Sequence, residues 1–151
     1  MFFAGESPPN GFRNPNNKAI KYICQPDDQQ TFYSTMFHEK QGIAVVAAYS
    51  LRPGDVAFQK RKTFTWTPTL GIARQGSDGI YGSKNQLNPD KFQKGHLISK
   101  RIFSSTEERC ASTYTYTNAV PQAPSFNNDG WKEYEIRIRR YARENCLVQQ
   151  Q

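Results

Sequence analysis

Lys94-Gly95-His96-Leu97 begins the most informative segment of the chain, which ends at Glu135. Between these points lie Thr117-Asn118-Ala119-Val120-Pro121-Gln122, Phe126-Asn127 and Trp131. The segment contains one of the two histidines of the chain, several side-chain amides and a carboxylate. Histidine titrates near neutral pH, and amide and carboxylate oxygens bind hard cations. The segment is therefore the first candidate for a functional site.

A long helix is predicted for the end of this segment. Asn127 or Asn128 is suited to cap its N-terminus, and the helix is predicted to continue to about Asn145. Apolar residues recur at helical spacing and predict a buried stripe: Trp131, Tyr134, Ile138, Tyr141 and Ala142. In steps of four residues, Asn127, Trp131 and Glu135 are predicted to share one side of the helix.

The rest of the chain predicts mostly antiparallel sheet, so the fold class is α+β. Residues 20–24 alternate in polarity and predict a short strand. Residues 31–37 and 43–51 flank a charged turn and predict a hairpin whose second strand is buried on both faces. Residues 104–108 are typical of a helix N-terminus, and residues 112–117 predict a further strand.

Residues 58–66 interleave basic and aromatic side chains. One interpretation is a nucleic-acid surface, on which bases stack and Arg61 and Lys62 meet phosphates. The other is an exposed strand whose Phe and Trp side chains pack inward. The net charge of +7 favours an anionic partner, with nucleic acid as the first candidate, although a basic balance also serves solubility alone.

With 151 residues the chain suits one domain, predicted as 19–147, after an irregular arm over 1–18 and before a frayed tail over 148–151. Ten Phe, eight Tyr and two Trp argue against disorder. No apolar run is long enough to span a bilayer, so no membrane partner is predicted. The three cysteines form no CxxC pair, and their odd count leaves both a disulfide and free thiols open.

The residue types of the segment suggest a hydrolytic site. His96 suits a general base, Gly95 allows a close backbone approach, and Lys94 supplies a cation for a phosphate. The oxygens of Asn127 and Glu135 suit a Mg²⁺ ion that keeps most of its waters. Together these groups meet the needs of phosphodiester hydrolysis.

Each of these residues also has an ordinary structural interpretation. A single histidine is often a packing residue, and an asparagine at a helix start is often only a cap. Glu135 is placed to pair with Arg139 four residues later. The residues alone leave these alternatives open.

The same motifs resemble the DNA/RNA non-specific endonuclease family, whose signature is Asp-Arg-Gly-His, then Thr/Ser-Asn-x-x-Pro-Gln, then Asn, Trp and Glu. The order and the spacing from Asn118 to Glu135 both match. Residues 22–25, 47–50 and 66–68 resemble the animal endonuclease-domain-containing branch. The resemblance implies a ββα-metal fold of the His-Me finger type, in a mostly antiparallel sheet with a C-terminal helix carrying the metal ligand.

The resemblance also implies roles for individual residues. His96 is expected to be the general base. Asn127 is expected to be the direct protein ligand of Mg²⁺, for which Mn²⁺ can substitute. Glu135 is expected to hold a metal-bound water molecule. Asn118 is expected to position the base or the phosphate region. The implied activity is cleavage of DNA and RNA, with Lys94 and Arg101 among the nucleic-acid-binding residues, in a secreted or extracellular protein.

Two positions depart from the signature. Lys94 replaces the motif arginine and Gln93 the motif aspartate, so the bidentate fork and a carboxylate are lost. The family domain also continues into further strands, so the chain is expected to be a fragment, a minimal version or a degraded copy. The alternative to an active nuclease is a weakened or inactive relative that binds nucleic acid, or a protein partner, without turnover.

Overall fold

The computed structural model describes residues 18–25, 31–51, 53–56, 63–82 and 91–146. The predicted arm, apart from Lys18, and the predicted tail over 148–151 lie outside the described residues. Arg61 and Lys62 also lie outside them. The predicted domain limits, 19–147, therefore stay a prediction.

The larger sheet has three antiparallel strands in the order β1-β2-β3: β1 Ile20–Gln25, β2 Tyr33–His38 and β3 Ile43–Tyr49. The predicted short strand and hairpin are confirmed. The prediction that the second hairpin strand is buried on both faces is wrong, because β2 is the central strand and β3 lies at an edge. Met36 pairs with Val46 and Phe37 with Ala44, which leaves Val45 in a bulge with 46% of its surface exposed.

One face of this sheet carries the core. Tyr33, Thr35 and Phe37 alternate along β2, so their side chains point to the same face, and all three are buried. Apolar residues from later in the chain pack against this face: Ile72, Leu97, Ile98, Ile102, Phe103, Val120 and Ile138. Burying a large side chain is worth about 1.5–3 kcal/mol. The core therefore fixes the chain that directly follows His96.

A second sheet is a two-stranded antiparallel ribbon of β4 Gln93–His96 and β5 Ala119–Gln122. Gly95 lies opposite Val120, and the Gln122 side chain crosses over it. A Cβ atom at position 95 would lie 2.1 Å from Gln122 Cδ, so any side chain there would force the Gln122 side chain to move. The Gln122 side chain of the neighbouring strand thus occupies the space over Gly95.

A short helix, α2, lies in the connection between β4 and β5. It follows α1, Asp78–Tyr81, in chain order and spans Glu107–Ser112. The Thr106 hydroxyl accepts a hydrogen bond from the Arg109 backbone N–H at 3.1 Å, which confirms the predicted helix start. The Arg109 guanidinium lies 2.5 Å from an Asp55 oxygen and stacks over the Phe103 ring at 4.9 Å.

The predicted strand over 112–117 is wrong. Thr115 makes a single bridge to Thr67, and Tyr116–Asn118 forms a 3₁₀ turn. The Thr113 hydroxyl donates to the Cys110 carbonyl oxygen at 2.8 Å. Such local bonds from threonine compete with sheet pairing, and they outweigh the β-propensity of this segment.

The C-terminal helix begins earlier than predicted. It consists of α3 Pro124–Phe126, a π-helical turn Asn127–Trp131, and α4 Lys132–Asn145, so only its predicted end is confirmed. Pro124 occupies the first turn, where its missing N–H costs nothing, and Ala123 is the N-cap residue. The predicted cap at Asn127 or Asn128 is therefore wrong, and the Asn127 side chain is not used for capping.

The buried stripe of this helix is only partly the predicted one. Ala142 is buried, and Ile138 packs against the core cluster. Tyr134 and Tyr141 are 52% and 66% exposed, so their prediction is wrong. Glu135 instead takes a position on the inward face and is half-buried.

The sequence left open whether the cysteines form a disulfide or stay as free thiols. Cys24, Cys110 and Cys146 all have free thiols. Burial raises the pKa of the Cys110 thiol, which keeps it protonated and unreactive.

Across the described ranges, no helix combines the length and the apolar character needed to cross a bilayer.

Candidate active site

β4 and the C-terminal helix lie side by side. Three side-chain contacts join the helix to β4 and the residues after it: Asn127 to Gln93 at 2.9 Å, Trp131 to the carbonyl oxygen of His96 at 2.9 Å, and Glu135 to the Ser99 hydroxyl. Successive contacts are three residues apart between Gln93 and Ser99 and four residues apart along the helix. The structure thus brings Asn127, Trp131 and Glu135 to one face of the helix, which contacts residues 93–99.

His96 is held between two aromatic rings. Its imidazole lies 4.6 Å from the Trp66 ring and 4.7 Å from the Tyr114 ring, between centroids. The residue as a whole keeps some exposure, but Nε2 is enclosed and has no hydrogen-bond partner among the described residues. Burial, and then the charge of Lys100, lower the pKa of His96 to about 3. The imidazole is therefore neutral at ordinary pH.

The segment over 63–77 brings Trp66 to the histidine. The Thr67 N–H donates to the Tyr114 carbonyl oxygen at 2.9 Å, and the Tyr116 N–H donates to the Thr67 oxygen at 3.0 Å. The Gln75 side chain braces the loop that follows, with three bonds of 2.7–2.8 Å to its backbone. Trp66 is half-buried against His96 and Tyr114 and also lines an open cavity, so both interpretations of residues 58–66 stay predictions.

The Lys94 side chain lies close to Asn127, since both line the same cavity. Its ammonium group is already paired with a carboxylate. Its Nζ donates to Oδ1 of Asp78, the first residue of α1. Lys94 first, and Tyr116 second, hold the pKa of the Asp78 carboxyl below its usual range. The ammonium also lies 5.6 Å from the Trp66 ring centroid. Lys94 is therefore a cation with an exchangeable, solvent-exposed partner.

Gln93 sets the orientation of Asn127. The Gln93 Oε1 atom accepts bonds from the amide nitrogens of Asn127 at 2.9 Å and Asn128 at 3.3 Å. Since the nitrogen of Asn127 is engaged, its Oδ1 points away from Gln93 and is the atom presented to a ligand. The glutamine that departs from the family signature thus supplies an acceptor oxygen at the same place.

Glu135 is half-buried near basic groups. Burial raises the pKa of its carboxyl, while the Ser99 hydroxyl and the charges of Arg101 and Lys100 act in the opposite direction. Its oxygens lie on the β4 side of the helix, close to Ser99 and Trp131. Arg101, predicted to bind nucleic acid, is close enough to Glu135 to influence its charge.

Asn118 is fully enclosed. Its Nδ2 donates to the carbonyl oxygens of Ile98 at 3.0 Å and Thr113 at 2.8 Å, and its Oδ1 accepts from the Ile98 N–H at 2.9 Å. These bonds fix the backbone two residues after His96. The predicted role in positioning the base stays a prediction, and these contacts describe a residue that acts through the backbone.

Three residues near the site were missed by sequence reasoning. Lys100 donates to the Tyr114 hydroxyl at 2.8 Å and influences both His96 and Glu135. Its position four residues after His96 was the available signal. No pattern in the sequence indicated Asp78, because a loop separates it from its partner Lys94. Trp66 was noted as aromatic, but only the bridge at Thr67 places it against the histidine.

Comparisons with known proteins agree with this architecture. The family model described as DNA/RNA non-specific endonuclease matches residues 14–149. A chain in the crystal structure of the EndoG/EndoGI complex is similar in fold, with a TM-score of 0.67 and 16% identity, covering 87% of this chain and 51% of that one. A comparison with curated proteins gives no match. The predicted ββα-metal, α+β fold is confirmed, and the chain belongs to the DNA/RNA non-specific endonuclease family.

Proposed function

We propose that the chain is a Mg²⁺-dependent endonuclease that hydrolyses phosphodiester bonds of DNA and RNA without sequence preference. Family membership supports nuclease chemistry. The observation that supports the proposal is the contact between β4 and the C-terminal helix, in which Asn127 bonds the Gln93 side chain and Trp131 bonds the carbonyl oxygen of His96. The net charge of +7 supports a polyanionic substrate.

His96 is proposed as the general base. A base must be unprotonated to accept a proton, and the lowered pKa keeps the imidazole neutral. Its Nε2 makes no hydrogen bond within the described part of the chain, so no donor competes for the lone pair that a base uses to accept a proton. The bond from Trp131 to the His96 carbonyl oxygen holds the backbone of the base against the helix.

Asn127 and Glu135 suit a hydrated Mg²⁺ ion, with Mn²⁺ as a substitute. Asn127 would hold the ion through Oδ1, and Glu135 through a water molecule, which are the hard oxygen donors this ion prefers. The described residues contain no cluster of three or more His, Cys, Asp or Glu, so the site offers few direct ligands. When bound, the ion would stabilise negative charge on the phosphate and on the departing oxygen.

The first test uses Asn127→Ala. We expect the purified protein to nick supercoiled plasmid with Mg²⁺ and to stop when EDTA is added. Asn127→Ala should lower the rate roughly 100-fold or more, because the proposed direct ligand is lost. Gel assays over a Mg²⁺ series measure both effects.

Asn128→Ala is the matched control. Asn128 is the adjacent amide, bonds the same Gln93 oxygen and is exposed, so its loss should leave nicking within a few-fold of the wild type. If Asn127→Ala retained nearly full Mg²⁺-dependent nicking, Asn127 would not be the ligand.

Lys94 is proposed to contact a substrate phosphate. Its present partner is the Asp78 carboxylate, which must be displaced before a phosphate can bind the ammonium. Lysine binds phosphate as a point charge, without the fork of the arginine in the family signature. Asp78 therefore competes with the substrate for this cation.

Asp78→Asn is expected to tighten binding of DNA about 2- to 5-fold, which corresponds to removing one exposed ion pair. Fluorescence anisotropy in EDTA measures binding without cleavage. Glu133→Gln is the control, since it removes the same charge from an exposed helix position where Glu133 pairs with Arg137. Weaker binding by Asp78→Asn would mean that Asp78 positions Lys94 and does not compete for it.

A second candidate function is nucleic-acid binding without turnover. The engaged state of Lys94 and a His96 pKa of about 3, which makes the imidazole a weak base, both favour it. Metal titration separates the two candidates. A binding protein would hold DNA with an affinity that falls with salt, yet leave plasmid intact at every Mg²⁺ and Mn²⁺ concentration.

A further inference from the structure

A cavity of about 460 Å³ lies beside the candidate active site. Three aromatic side chains line it, Trp66, Tyr81 and Phe92. Phe92 is 36% exposed, and the Tyr81 ring packs closely over Gly76. The volume falls in the range of pockets that hold small organic ligands, about 300–1,000 Å³.

The polar side of the cavity is shared with the candidate active site. Lys94 and Asn127 belong to both, and Lys91 adds a second cation. Lys91 is also the one non-glycine residue with a positive φ, 53°, within the described ranges. A non-glycine residue in this region is uncommon and is often found at ligand sites. The cavity thus combines flat apolar surface with positive charge and adjoins the proposed metal ligand.

We propose that this cavity holds the base of a nucleotide adjacent to the phosphodiester bond that is cut. A phosphate placed between Lys94 and Asn127 has its attached nucleoside within reach of the aromatic wall. The face of any base stacks on an aromatic ring, so the site tolerates different sequences. This inference rests on the proposed function, because the cut phosphate defines where the base lies.

The proposal also defines a substrate class. A base inside a duplex is already stacked and paired, and removing it from the duplex costs free energy. An unpaired base enters the cavity without that cost. The site therefore favours single-stranded or locally unpaired nucleic acid over an intact duplex.

The experiment measures binding affinity in EDTA while an aromatic side chain of the cavity and the base of the nucleotide are each removed, alone and together. Two short labelled strands have the same number of phosphates, one of thymidine nucleotides and one of abasic nucleotides. We expect Phe92→Ala to bind the thymidine strand about 5- to 100-fold more weakly, the loss typical of one stacked base. Its affinity for the abasic strand should match that of the wild type, which also shows that the variant is folded.

Tyr141→Ala is the control, because Tyr141 is an exposed aromatic residue outside the cavity, and it should bind both strands as the wild type does. Tyr81→Leu is a second cavity variant and should repeat the selective loss. Equal weakening of both strands by the two cavity variants, or no weakening of either, would overturn the inference. Absence of Mg²⁺-dependent cleavage would instead reject the nuclease proposal, since the binding measurement needs no turnover.

Discussion

Replacing His96 with alanine is expected to lower phosphodiester cleavage roughly 10²- to 10⁴-fold, the usual contribution of a general base. Single-turnover cleavage of a labelled strand measures the effect on the chemical step. In the wild type, activity is lost as the base becomes protonated. Because the pKa of His96 is lowered to about 3, that loss should occur well below pH 6.5, the ordinary value for histidine.

Two further measurements separate a catalytic role of His96 from a structural one. Binding of DNA in EDTA should be unchanged in His96→Ala, since the imidazole is neutral and buried and contributes no charge to the phosphate contacts. His38→Ala is the matched control, because His38 is the only other histidine and lies at the end of β2, where its Nδ1 accepts from the Gln41 N–H of the hairpin turn. Full cleavage by His96→Ala would require a different base.

Replacing Asn118 with alanine is expected to give the largest loss of stability. The substitution leaves the N–H and C=O of Ile98 and the C=O of Thr113 without the partners they now have. Each buried polar group left unpaired costs about 1–3 kcal/mol, so a total of roughly 3 kcal/mol or more is expected. For a chain of this size that corresponds to about 6–12 °C in Tm.

Calorimetry or circular dichroism measures the change in Tm caused by Asn118→Ala. Asn145→Ala is the control, since Asn145 bonds one carbonyl oxygen at the exposed end of α4 and should shift Tm by little. If Asn118 acts through the backbone, cleavage at low temperature, where the variant is folded, should persist. A stable variant with no cleavage would mean that Asn118 takes a direct part in the reaction.

The core of the candidate site could be predicted from the sequence because its residues are close along the chain and their types are unusual together. A histidine after glycine, and an asparagine and a glutamate eight residues apart, leave few possible arrangements. The spacings alone place Asn127, Trp131 and Glu135 on one side of the helix, whereas the pairing of this helix with the histidine was implied by the resemblance to the endonuclease family.

What the sequence did not predict depends on contacts between distant segments or on competing local bonds. The Asp78–Lys94 pair crosses a loop, and no periodicity records it. The helix start was misplaced because Pro124 favours an earlier start than the capping preference of asparagine. The contact of Glu135 with Ser99, which together with two basic residues offsets part of the cost of burial, also joins segments that are distant in the sequence.

The π-helical turn at Asn127–Trp131 has a consequence for the angular register of Asn127 and Glu135, the two residues proposed to hold the metal ion. In a regular α-helix, eight residues rotate about 80° past two full turns, so Asn127 and Glu135 would diverge around the axis. A π turn takes up one extra residue, and the same eight residues then cover about the rotation of seven, which leaves a divergence of about 20°. The alignment of the two residues thus depends on the one-residue insertion in the helix, because a regular α-helix with the same eight steps would turn them about 80° apart without changing either side chain.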